Sequence, residues 1–214
     1  MVRRYSCITT NMGLISPLLT ALAGVSSSST VSNPYSVAAW LTNLHAYLTA
    51  LCAHPYSGHL FVGEAPGHRG CAITGIPFSS ERVLRSGSHL FLTALLPSLT
   101  LAGSVTERSA TIVWCQFAGK RGLPAFWNAF PFHPHSAGVT NDNRRPTGIE
   151  IAAGTLFLHT VVEILAPHTI VAVGDVAASV TTTTFPKLRH LTFPHPSYRG
   201  TAGFISGCAA LNIP

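Results

Sequence analysis

His59-Leu60-Phe61-Val62-Gly63-Glu64-Ala65-Pro66-Gly67 decides how this chain is read. A short apolar run that breaks off into a glycine- and proline-rich turn is the look of a buried strand whose carboxyl end opens into a loop. Upstream, Ser36 precedes Val37, Ala38, Trp40, Leu41, Leu44, Leu48 and Leu51, which are spaced for one apolar helix face. Downstream, Ser80 and Glu81 open an apolar-periodic segment that predicts one helix to about Leu96. Residues 110–117 are β-branched and aromatic, and residues 125–130 form a second short apolar run, so one or both are predicted strands. Pro146-Thr147 opens a helix through Glu150, Ile151, Leu156, Leu158, Val162 and Ile164 that stops before Pro167. Thr169-Ile170-Val171-Ala172-Val173 is the clearest strand, closed by Gly174 and followed by a short alanine-rich helix. Residues 188–193 are the last predicted strand, ending at Pro194-His195-Pro196-Ser197, and a helix over about 201–211 finishes the chain.

Strands alternating with helices predict a three-layer α/β/α sandwich around a central, mostly parallel four-stranded sheet. In such sheets ligands bind at the carboxyl ends of the strands. Three polar loops follow three separate strands here, at residues 63–67, 128–143 and 194–199, and the topology brings them to one edge. No internal repeat of 20 to 50 residues is present.

Of the 214 residues, 47% are hydrophobic and only 9% charged, so solubility rests on Ser, Thr, His, Asn and Gly. Thirteen Lys and Arg against seven Asp and Glu give a formal charge of +6, which favours polyanionic partners. Arg144, Arg145, Lys187, Arg189, His190 and Arg199 lie in the second half, and read either as a phosphate-tracking surface or as a solvated face. Cys7, Cys52, Cys71, Cys115 and Cys208 are scattered without a C-x-x-C, which argues for reduced thiols and against a disulfide or zinc scaffold. Arg3 and Arg4 precede an apolar run over 12–25 that resembles a weak signal peptide, but Ser16-Pro17 and Thr20 interrupt it. Together with the thiols this gives a cytoplasmic expectation. No stretch reaches the roughly 20 apolar residues of a membrane span. The Ser/Thr tract at 26–32 reads as a connector, so residues 1–33 are predicted as a poorly ordered extension and 34–214 as the domain.

Each loop alone is a weak signal, since residues 63–67 fit any backbone cradle and His195-Pro196-Ser197 fits an exposed turn. In order and spacing they are far more specific. GEAPG at 63–67 after a strand is followed by Pro77-Phe78, by Asn128 in WNAFPFHP, by NRRPT opening a helix, by VAVG and by HPS. Over roughly residues 60–203 this order resembles the uracil-DNA glycosylase superfamily, with families 4 and 5 the nearest in the first motif. The resemblance implies a hydrolase that flips a base out of DNA and cleaves its N-glycosidic bond. It implies DNA, single-stranded or duplex with a damaged base, as partner, and requires no cofactor.

Such a cleavage leaves positive charge on the sugar and negative charge on the departing base, and the site must stabilise both. The resemblance assigns His195 to the base O2 as a donor. It gives Asn128 the Watson–Crick edge, where a carboxamide matches uracil O4 and N3–H. Phe78 matches the platform on which the flipped base stacks, and Ser197, Tyr198 and Arg199 fall where DNA is contacted, as does Arg144, which reads equally, like Arg145, as a cap or salt-bridge partner near the helix start. Gly63, Ala65, Pro66 and Gly67 form the first motif, with Glu64 on the sugar side. Two departures stand out. Ala65 replaces the aspartate of family 1, and His68-Arg69-Gly70-Cys71 replaces the acidic residues that follow GEAPG in family 4, leaving Glu64 as the nearby carboxylate by sequence. The four cysteines that hold an iron–sulfur cluster in family 4 are also missing, with Phe132 at one of their places, so no metal is expected. These gaps leave a second reading open, a non-catalytic or abasic-site-trapping member of the fold. Base specificity, strand preference and oligomeric state are not readable from the chain.

Overall fold

The computed structural model describes residues 11–214. Arg3, Arg4 and Cys7, which entered the reading of the amino-terminal segment, lie outside the described residues. In chain order the elements are α1 (Ile15–Ala23), β1 (Val31–Ser32), α2 (Ala38–Ala53), β2 (Tyr56–Gly63), α3 (Cys71–Thr74), α4 (Glu81–Leu84), α5 (Leu90–Leu95), α6 (Arg108–Cys115), β3 (Leu123–Asn128), β4 (His133–Pro134), α7 (Gly148–Leu165), β5 (Thr169–Val173), α8 (Asp175–Thr184), β6 (Arg189–Phe193) and α9 (Thr201–Ala210). Strands β2, β3, β5 and β6 form one sheet in the order β3-β2-β5-β6, every pairing parallel. The sheet is flanked by helices, as a three-layer α/β/α fold requires.

Burial is deepest in β3, in β5 and in the carboxyl half of β2. Leu60, Phe61 and Val62 of β2, residues 125–127 of β3 and residues 170–171 of β5 are all fully buried. Phe61 is the hub, with its ring within 6.3 Å of those of Phe117, Phe126, Phe193 and Phe204. The order β3-β2-β5-β6 makes β2 the strand from which the chain leaves first to one side and later returns on the other. A crevice at the carboxyl ends of β2 and its neighbours follows from that reversal.

Helix α7 starts as the sequence predicts. Thr147 accepts from the Glu150 backbone N–H, and the Glu150 carboxylate accepts from Thr147 N at 2.7 Å, a complete capping box. Eighteen residues long and apolar, α7 is long enough to cross a bilayer by length and composition. Here Gly154, Leu158, Val161, Ile164 and Leu165 are buried, while Ile149 and Leu156 face outward.

One open choice is resolved and two expectations are corrected. Of the two runs of which one or both are expected to be strands, residues 125–128 lie in β3, while residues 110–117 lie in and just beyond α6, since Ala110, Val113, Trp114 and Phe117 recur at the spacing of one helix face and are all buried. The single helix expected from Glu81 to Leu96 is two, α4 and α5, broken at Ser86-Gly87-Ser88, where Gly87 takes φ +62. The segment before residue 34 is, from Asn11 on, part of the fold. Ile15, Leu18 and Leu22 of α1 are in the core, and β1 pairs antiparallel with β4. The serine tract is held by local hydrogen bonds rather than free: Asn33 donates to the carbonyls of Leu22 and Val25 at 2.8 and 2.7 Å, and Ser27 Oγ accepts from Asn33 N.

Candidate active site

Parallel pairing sets Gly63, the last residue of β2, beside Asn128, the last of β3. The alignment continues past the strands, with Ala129 N donating to Gly63 O at 2.8 Å and Phe130 N to Glu64 O at 3.0 Å. A Cβ at Gly63 would lie 2.8 Å from both Asn128 Oδ1 and Phe78 Cζ, so glycine lets the carboxamide and the aromatic edge close on the loop. Asn128 is 5% exposed and lines the cleft.

Phe78 adopts a left-handed backbone, φ +54, which costs a bulky residue about 1–3 kcal/mol. Trp114 Nε1 donates to its carbonyl at 3.0 Å, and its ring leans on Phe126 at 5.4 Å, so α6 and β3 together hold it there. One part of the ring stays accessible from the cleft.

His195 enters from the loop after β6. Its Nδ1 lies 2.8 Å from Ser197 Oγ. A serine hydroxyl donating there leaves the ring proton on Nε2, the nitrogen free to act as donor. Desolvation by the surrounding protein lowers the pKa of His195 below the usual imidazole range, which favours that neutral form. Gly200 is pressed against this loop, since a Cβ there would fall 2.1 Å from His195 O.

The resulting cleft, about 440 Å³ including its open mouth, is lined by residues 63–67, Cys71, Phe78, Glu107, Ser109, Asn128 and His195. Four residues predicted from four separate stretches, Glu64, Phe78, Asn128 and His195, meet in it. Glu64 is half-buried, and burial raises its carboxyl pKa while the field of Arg145 pulls it back. The loop itself is pinned from behind, where His133 is 2.8 Å from Pro66 O through Nδ1 and 3.1 Å from Thr140 O through Nε2. Asn143 Oδ1 accepts from His68 N at 2.9 Å.

Glu107 was not among the predicted residues. It stands just before α6, at the Ncap, and its carboxylate rests on the first-motif loop: a Cβ at Gly67 would fall 2.5 Å from Oε1, and one at Gly70 would fall 2.0 Å from Oε2. Burial raises its pKa to about 7, while a hydrogen bond from Ser109 works the other way. The signal for it was the helical spacing of residues 110–117, which puts Glu107 at a helix start.

The basic residues divide. Arg199 and Arg145 are exposed beside the cleft, as is Arg69 at its first-motif end. Arg144, expected at the DNA, is instead a structural brace. Its guanidinium makes a two-pronged ion pair with Glu150 at 2.6 and 2.8 Å and donates to the carbonyls of His135, Thr30 and Arg145. Lys187 and Arg189 are exposed at the amino end of β6, one strand length of about 13 Å from the His195 loop. Tyr198 opens the short 3₁₀ turn Tyr198–Gly200 between that loop and α9. Among the described residues no three His, Cys, Asp or Glu side chains are grouped as ligands, and the described cysteines sit on separate elements.

Fold and cleft together define an α/β/α sandwich with a cleft at the carboxyl edge of a parallel sheet. Residues 51–211 match the family described as the uracil DNA glycosylase superfamily, and the chain belongs to that superfamily. Among solved structures, the crystal structure of wild-type Pedobacter heparinus SMUG2 superposes with a TM-score of 0.64 at 16% identity, covering 93% of this chain and 98% of that one. The search of curated proteins finds no match.

Proposed function

We propose that the protein is a monofunctional DNA glycosylase that receives an extrahelical uracil or related deaminated or modified base and hydrolyses its N-glycosidic bond, beginning base excision repair. The observation that carries this reading is the convergence of Phe78, Asn128, His195 and a carboxylate in one cleft. The base stacks on Phe78, and the Asn128 carboxamide donates to O4 and accepts from N3–H. Neutral His195 donates from Nε2 to O2 as negative charge builds on the leaving base. Glu64, on the sugar side, offsets the positive charge at C1′. Exposed Arg69, Arg145 and Arg199 hold phosphates around the mouth, which makes affinity fall with rising salt. A reducing, cytoplasmic setting is part of the same proposal, resting on the scattered cysteines of the sequence.

The test is an oligonucleotide carrying a single uracil, incubated with the protein and then cleaved with alkali at the abasic site. Strand scission dependent on uracil is expected. Absence of scission on uracil, hypoxanthine, xanthine and 5-substituted uracils at high enzyme overturns the reading.

A further inference from the structure

Two glycines of the first-motif loop each seat a polar side chain from another element. Gly63 receives the Asn128 carboxamide, and Gly67, with Gly70 behind it, receives the Glu107 carboxylate. The pocket therefore has a second acid, delivered by the start of α6 rather than by the loop. Among the described residues no Lys or Arg forms an ion pair with it, while Glu64 lies in the field of Arg145. An acid left without a cation inside a cleft is costly as a structural element and is a mark of chemistry.

Resting on the excision reading above, we infer that Glu107 is the general base of the reaction, the group that takes a proton from the attacking water. In the balanced step the water oxygen bonds to C1′ as the C1′–N1 bond breaks. The bond pair leaves with the base, whose anion His195 stabilises at O2. The Glu107 carboxylate accepts one water proton and the sugar keeps the hydroxyl. The proton on Glu107 is then lost to solvent, and the departed base takes one up. Glu64 keeps its electrostatic part. The two acids suit their parts: a base works best with a pKa near the working pH, and that of Glu107 is about 7.

Single-turnover excision of uracil is measured from pH 5.5 to 9 for wild type, Glu107→Gln, Gly67→Ala and Ser109→Ala, with binding to a non-cleavable 2′-fluoro-uracil oligonucleotide and a thermal melt for each. The expected wild-type rate rises through pH 7 and levels above it, since the base acts when deprotonated. Glu107→Gln is expected to lose about 100-fold or more and the pH rise with it, with binding retained. Gly67→Ala leaves Glu107 in the sequence and needs no unusual backbone, yet its methyl displaces the carboxylate, so a loss of at least tenfold is expected. Ser109→Ala removes a hydrogen bond that favours the carboxylate and is expected to move the midpoint upward. A Glu107→Gln rate within tenfold of wild type, or one that keeps the pH rise, overturns the assignment. If Glu107→Gln does not fold, an unmoved midpoint in Ser109→Ala does so instead. An active wild type with an unaffected Glu107→Gln sinks only this inference, whereas an inactive wild type sinks the excision reading on which it stands.

Discussion

At the level of single residues the site depends on small atoms in tight places. In the proposed reaction His195 donates from Nε2, and Ser197 Oγ, 2.8 Å from Nδ1, favours that tautomer when its hydroxyl donates there. Removing the ring in His195→Ala is expected to lower single-turnover excision by roughly 100- to 1,000-fold, the usual cost of losing one oxyanion donor, with abasic-DNA binding retained. Ser197→Ala frees the tautomer and is expected to cost about tenfold, a partial version of the same loss. For Asn128 the chemistry can be inverted rather than deleted. Asn128→Asp, when ionised, offers acceptors only, so it repels uracil O4 and suits the N4 amino group of cytosine. Competition between uracil- and cytosine-containing strands should shift toward cytosine, and a variant that still prefers uracil contradicts the assigned edge. Three of these residues were legible before any coordinates, because Asn128, His195 and Phe78 each sit in a motif of fixed order. Their orientation was not. Nothing in a residue string reveals that Phe78 is held at φ +54 or that Gly63 is small for the sake of its neighbours.

At the level of elements, composition misled where periodicity did not. Thr111, Ile112, Val113 and Trp114 suit a strand, yet Ala110, Val113, Trp114 and Phe117 bury one helical face. Packing outweighed intrinsic preference. The error was not local, because a helix at residue 108 makes Glu107 its first neighbour and turns it toward the cleft. Arg144 shows the opposite case, a residue placed correctly beside a helix start but tied to Glu150, Thr30 and His135. Arg144→Ala is expected to destabilise by about 1–3 kcal/mol in urea titration while leaving the salt slope of DNA binding unchanged. The same pair carries a pH signature. The Arg144 guanidinium depresses the Glu150 pKa to about 2, so its contribution is complete above the usual carboxylate range and is lost as pH falls from about 4.5 toward 2. Gly200→Ala, with φ −81 and no conformational objection, pushes a methyl onto His195 O. It should cost at least tenfold in rate while the core melts within a few degrees of wild type.

At the level of the whole molecule, the amino-terminal segment is where the sequence misleads most. A tract of serines reads as a spacer by composition, but Ile15, Leu18 and Leu22 fill the core and β1 closes on β4. A chain beginning at Asn33 gives up three buried side chains at about 1.5–3 kcal/mol each, a sum comparable with the whole stability of an ordinary domain. Its melting transition should be lost or fall by more than 15 °C, and an unchanged transition contradicts the packing. The central place of β2 has another consequence, which concerns time. Its partners are β3, some 60 residues further along, and β5, more than 100 residues further along. During synthesis its apolar run Leu60-Phe61-Val62 therefore waits, unpaired, for most of the chain to emerge. With only 9% charged residues to keep that intermediate apart from its neighbours, slower synthesis of residues 64–173 is expected to lower the soluble yield. The first-motif loop meets the residues it faces, Asn128 and His195, only once those later stretches are made, although Gly63 itself lies in the first third of the chain.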